Sequence, residues 1–206
     1  MPNLSFLWKS ANAHGVHSPF VFNIVKNAFY EKYFRLGKSE YKVLPQGLSY
    51  RKTEILYKLI RHFKATKLLA LGDNATAVTD TLRQLGENSK LQLWFFSTLA
   101  PIQGGVEIGI ISDSSKTGVL EAFEEIIRNS NNNTMCVIDN IHASQQMEWA
   151  WADLKKDPRV TVTIDTYHLG LVFLRRESVK QHFTIRANTS FMMDVFLGIR
   201  NLWGLI

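Results

Sequence analysis

The chain has 206 residues, 46% hydrophobic and 20% charged, with a formal net charge of +6. That describes a globular chain of moderate size, long enough to bury a core without staples. Cys136 is the only cysteine, which excludes an internal disulfide and a cysteine-based zinc site and suits a cytoplasmic protein. No apolar stretch reaches the roughly 18 residues a membrane span needs. Met1 to Phe6 lacks a basic region followed by an apolar run, so no secretory leader is expected. Lys and Arg are scattered with no run of five. They read as solvated surface charge and not as a specific nucleic-acid interface.

Residues 1–36 are aromatic-rich and helical in pattern. Phe20, Ile24, Val25, Ala28 and Phe29 recur at helical spacing, behind a Ser18-Pro19 start. Gly37 to Gln46 reads as a linker. Ser49 or Tyr50 opens a second helix, with Ile55, Leu56, Leu59, Ile60 and Phe63 on its apolar face. Lys67 to Gly72 is a short apolar run ending in glycine, as a buried strand would be. Ala77 to Leu85 predicts a helix that stops at Gly86. Lys90–Phe96 and Val106–Ser112 read as strands, and Thr117–Arg128 as a helix. Asn129–Asn133 reads as a polar loop, Thr134–Asp139 as a strand, and Gln145–Lys156 as a helix. Val160–Asp165 and Gly170–Leu174 are close enough for a hairpin. Strands alternating with helices predict a mostly parallel α/β sheet, and the hairpin adds an antiparallel strand. Met192, Val195, Phe196, Ile199, Leu202, Trp203 and Ile206 form one amphipathic face. Packing on this chain or on a twin subunit fits that face better than a membrane surface. The expected organisation is a helical extension and linker over 1–48, an α/β domain over 49–186, and an amphipathic helix over 187–206.

Two of these strands end in acid. One stops at Ser112-Asp113, with Lys116 three residues on, and the other at Asp139-Asn140. Ligands of open α/β sheets sit beyond the carboxyl ends of parallel strands. Asp113, Asp139 and Asn140 would supply oxygen ligands for a hard cation, with Lys116 as a base. The plainer reading is that Asp and Asn end strands because they favour turns. His14 and His17 flank Gly15 and read as bracing a turn. His142 follows Asn140 and is better placed to reach the rim.

The chain resembles the class I S-adenosylmethionine-dependent methyltransferases, with a Rossmann-like three-layer sandwich. It is most similar to the catechol-type, metal-dependent O-methyltransferases. A bacterial subgroup is resembled in the phrase Ala13-His14-Gly15-Val16-His17-Ser18-Pro19-Phe20-Val21-Phe22, and again in Asp157–Asp165 followed by Leu169–Phe173. The resemblance implies S-adenosylmethionine as cofactor, held by Gly72, Asp73, Asn74 and Ser97. It implies magnesium or a similar divalent cation on Asp113, Asp139 and Asn140, with Lys116 as the catalytic base towards a small hydroxylated substrate. Three departures stand against it. The acid and second glycine of the cofactor motif are Ala70 and Thr76, and glycine is needed where backbone approaches a ligand. The ribose-binding acid is replaced by Ser97, which cannot accept as a carboxylate does. Only Ser97 to Gly105 separates two strands where the family places a helix, a strand and another helix, so an edge strand and the adenine wall should be missing. The expectation is a methyltransferase-like protein with a degraded cofactor site. It would act non-catalytically, through a homo-oligomer or protein partner at its aromatic termini. An active metal-dependent O-methyltransferase is the alternative, and a domain binding another small ligand at the same rim is a third reading.

Overall fold

The structure is a computed structural model, and it describes residues 6, 16–31 and 33–187. The expected helix over 187–206, His14 and the first part of the opening phrase lie outside the described residues, Ala187 apart.

Seven strands form one mixed sheet in the order β2-β1-β3-β4-β6-β5-β7. They are β1 (Lys67–Leu71), β2 (Trp94–Phe95), β3 (Val106–Ile111), β4 (Ser130–Asp139), β5 (Val162–Asp165), β6 (Leu169–Phe173) and β7 (Gln181–Thr184). Strands β1 to β4 are mutually parallel, and β6 runs antiparallel between β4 and β5. Helices cover both faces: α1 (Pro19–Ile24), α2 (Lys38–Lys42), α3 (Tyr50–Phe63), α4 (Ala75–Asn88), α5 (Lys116–Arg128) and α6 (Gln145–Lys156).

The alternation of strand side chains divides the core in two. Leu68, Ile108, Ile110, Met135 and Val137 point to the side covered by α1, α3 and α4. Leu69, Ile111, Cys136 and Ile138 point to the side covered by α5 and α6. The result is a three-layer α/β sandwich. Residues of the amino-terminal segment, Val21, Ile24, Val25, Ala28 and Phe29, share the first of these cores with the strands. Ile55, Leu56, Leu59 and Ile60 of α3 are buried against the same sheet, each contributing about 2 kcal/mol by removal from water.

The stretch 97–105 adds no strand to the sheet: β2 is an edge, and no described strand lies between it and β3 in the chain. A parallel crossover is nevertheless made. The connection from Phe95 to Val106 carries no helix, buries Ile102 in the second core, and turns into β3 through Gly104 and Gly105 at φ +77° and +79°. It manages this because β2 is only two residues long, so little length has to be retraced.

Several boundaries differ from the sequence reading. Helix α4 runs through Gly86, which sits close under the Leu93 side chain. The linker contains α2, whose Glu40 carboxylate accepts from the Gly37 N–H. The asparagine run 131–133 is not a free loop. It is a bulge in β4, where the register jumps between the Val106–Ser130 and Ile108–Met135 pairs. Helix α1 continues as a π turn over Val25–Phe29. Strand β7 was not foreseen; it pairs in parallel with β5.

Candidate functional site at the carboxyl rim of the sheet

Strands β1, β3 and β4 end side by side, and their exits form the rim. The loop after β1 folds tightly against the exit of β3. Gly72 has φ +101°, and a Cβ there would lie 2.5 Å from the Ser112 carbonyl oxygen. Only glycine tolerates both conditions. The Asn74 N–H donates to that same carbonyl at 3.0 Å, and the Ser114 hydroxyl donates to Asp73 at 3.2 Å. The Asn74 side-chain amide donates to the Gly47 carbonyl at 2.9 Å. The linker is held along α4 as well, because the Thr81 hydroxyl donates to the Pro45 carbonyl at 2.7 Å. Gly72 and Asn74 are thus held against neighbouring backbone, and Asp73 is bonded to the Ser114 side chain. Thr76 is exposed on the first turn of α4, and Ser97 is exposed just past β2.

The acids at the ends of β3 and β4 take different partners. One oxygen of Asp113 accepts from both the N–H and the hydroxyl of Ser115, each at 2.9 Å. Its carboxyl group also lies over Gly118, where an added Cβ would fall 2.4 Å from it. Asp113 therefore shapes the start of α5, where Ser115 caps the Gly118 N–H at 3.0 Å. Lys116 points to the neighbouring helix. Its ammonium lies 2.5 Å from Asp153 of α6, with both side chains 38% exposed.

Asp139 is buried, at 3% exposure, and so is Ser112, whose hydroxyl donates to it at 3.2 Å. The cation beside it is Lys52, from the first turn of α3. The Lys52 ammonium lies 2.6 Å from Asp139 Oδ1 and donates to Asn140 Oδ1 at 2.7 Å. At Asp139 Oδ1 it acts as a charge, since no donor there is aligned as a hydrogen bond. Asn140 Nδ2 reaches the other Asp139 oxygen at 3.3 Å. Asn140 holds this position with φ +55° and a backbone bond to the His168 carbonyl at 2.8 Å. Lys52 is 8% exposed, so the pair and its amide neighbour form a buried, internally neutralised cluster.

A second polar group flanks this cluster. His142 Nε2 lies 2.8 Å from Asp165, and Nδ1 lies 3.4 Å from Glu148. The bond to Asp165, against the opposing effect of burial, holds the imidazole pKa above its ordinary value. Its ring stacks on Tyr167 at 5.5 Å, and Phe6 packs edge-on to both rings. His168 is held below its usual pKa by burial and then by the charges of Lys52 and Arg51.

The structure thus brings Asp139 and Asn140 together and commits Asp113 and Lys116 to the ends of helices. Lys52 was missed by sequence reasoning. It stands 87 positions before Asp139, and on its helix it is one polar residue among several. Among the described residues, no group of three or more His, Cys, Asp or Glu side chains is arranged to hold a metal ion. A divalent cation at Asp139 and Asn140 would meet the Lys52 ammonium, and like charges at that distance exclude one another. The residues present therefore do not fit the metal that the resemblance implies.

Comparison with known proteins gives little beyond this geometry. No protein-family profile and no curated protein matches the chain. Among solved structures, 27 chains match. One is described as a "putative O-methyltransferase from Klebsiella pneumoniae", at 12% identity and a TM-score of 0.42, covering 79% of this chain and 93% of that one. The site is therefore argued from its own contacts.

Proposed function

We propose that this chain is a methyltransferase-like α/β protein that has exchanged cofactor chemistry for binding to a partner. The observation that carries the reading is the Lys52 ammonium, seated against Asp139 and Asn140 where a catalytic cation would have to sit. Three further features support it. The glycine loop is closed onto Ser112. Lys116 is paired with Asp153, away from the Asp139 cluster. The adenine side of the sheet ends in a two-residue edge strand.

The partner part of the proposal rests on that edge. Trp94, Phe96 and Leu99 are 64%, 38% and 94% exposed around β2, and unpaired sheet edges with apolar side chains invite association. A homo-oligomer or a second protein would cover them, with the aromatic termini as a further contact.

Calorimetric titration of S-adenosylmethionine, and separately of its demethylated product, with and without magnesium, tests the reading. Neither ligand binds at millimolar concentration if it is right. Micromolar affinity for either would overturn it and return the chain to the active, metal-dependent O-methyltransferases.

A further inference from the structure

The sheet edge at β2 is built to meet its own copy. The Trp94 and Phe96 N–H groups donate inward to the Thr66 and Leu68 carbonyls, at 2.7 and 2.9 Å. Strand alternation therefore turns the N–H and C=O of Phe95 outward, away from β1. The Phe95 side chain packs on the first core, with Arg83 of α4 over its ring at 5.6 Å. Trp94 and Phe96 point to the other face, the side of α5. Helix α5 packs on β3 and β4, and the connection from Phe96 to Val106 that crosses this face holds no helix. Trp94, Phe96 and Leu99 are left exposed there.

Charge argues for a second copy as the occupant. The chain carries a net +6, so two copies repel over much of their surface. From Leu91 to Val106 the sequence has no charged residue, although sheet edges are ordinarily guarded by lysine or an inward charge. Arg83, beside the strand, is already paired with Asp80 at 3.0 Å. Laid on itself, this stretch brings no like charges together. Strand β2 is short, so one reciprocal pair of backbone hydrogen bonds completes it.

We propose that β2 pairs antiparallel with β2 of a second copy, about a two-fold axis at Phe95. Each Phe95 N–H then donates to the Phe95 carbonyl of the other copy. That register sets Trp94 opposite Phe96 of the second copy, twice, as close cross-strand aromatic pairs. Covering Trp94, Phe96 and Leu99 removes roughly 400 Å² per copy, about half of what one partner contributes to a standard interface. The dimer is accordingly weak, with a dissociation constant of about 1–100 µM.

Sedimentation of the full chain across about 1–500 µM tests it and should show a reversible monomer–dimer equilibrium. Trp94→Lys or Phe96→Glu alone should weaken association about tenfold or more. Trp149→Lys, an equally exposed aromatic on α6, should leave it unchanged. Mixing Trp94→Lys chains with Phe96→Glu chains sets a lysine opposite a glutamate in the proposed register and keeps one native aromatic pair. The mixture should dimerise about threefold or more tightly than either variant alone. A chain monomeric throughout would overturn the proposal and leave the edge to a different protein. So would a dimer weakened equally by Trp149→Lys, or a mixture no tighter than its components. The proposal rests on reading this edge as a partner surface, and the S-adenosylmethionine titration fails separately from it. A dimer that binds that ligand keeps this pairing and overturns the reading of the rim, and a monomer that does not bind it does the reverse.

Discussion

Lys52→Met is the most informative change to the rim. Methionine keeps the length and apolar stem of lysine and removes only the charge. Asp139, at 3% exposure, then holds a carboxylate without its ammonium. Breaking a buried ion pair from one side costs about 3–5 kcal/mol. The Ser112 hydroxyl and the Asn140 amide still serve Asp139 Oδ2, so we expect a loss of about 2–4 kcal/mol. Urea unfolding of wild type and variant measures it, with the slope checked for constancy. Adding Asp139→Asn should restore much of the loss, because the stranded charge is gone. A cost below about 1 kcal/mol, with no recovery in the double variant, would refute the buried pair and reopen the rim to a cation.

Other changes probe the neighbouring elements. Gly72→Ala forces a Cβ against the Ser112 carbonyl at φ +101° and should cost about 1–3 kcal/mol in urea unfolding; a neutral result would mean the loop after β1 is free to open. Lys116→Ala removes only a half-exposed contact, so its urea midpoint should match wild type, and a large drop would contradict the surface assignment. The raised pKa of His142 contributes stability that is complete below the unfolded value of about 6.5 and lost as pH rises through the folded pKa. His142→Gln should therefore destabilise the protein near pH 6 and leave it unchanged near pH 9; equal effects at both would show that the ring acts by packing alone. Burial pushes the Cys136 thiol up to about 12, so iodoacetamide should modify it only under denaturing conditions, and labelling of the native protein would place β4 away from the core.

The architecture was legible because it is written in local patterns. The apolar run 67–71, the acid-terminated strands and the helix 145–156 each carry a period that can be read without knowing what they touch. The absence of a strand between β2 and β3 was legible as a length, from Ser97 to Gly105. The site was less so. Asp139-Asn140 and Asp113 look equivalent in sequence, since both follow an apolar strand and both precede a helix. What separates them is where each carboxylate finds donors. Asp113 finds them two residues away, at Ser115. Asp139 finds its cation on α3, a helix assigned to core packing by its apolar face. Lys116 keeps the spacing of a catalytic lysine but is drawn aside by Asp153, which no spacing argument connects to it. Motif spacing fixes which backbone positions are near one another; it does not fix which charge each side chain answers.

The same rule bears on the rim itself. A buried carboxylate must be protonated, paired or hydrogen-bonded. Lys52 supplies an internal counter-charge from a helix that already packs on the sheet, and the loop after β1 closes onto Ser112 nearby. The short connection after β2 leaves Trp94 and Leu99 exposed at an open sheet edge, which is a liability in a monomer unless a partner covers it. Substituting Trp94 and Leu99 together by lysine separates the two cases. If a partner or twin subunit covers the edge, the solution mass by light scattering should fall to that of one chain while the urea midpoint stays near wild type. If the mass is unchanged and already that of one chain, the edge is bare and the binding surface must be sought elsewhere.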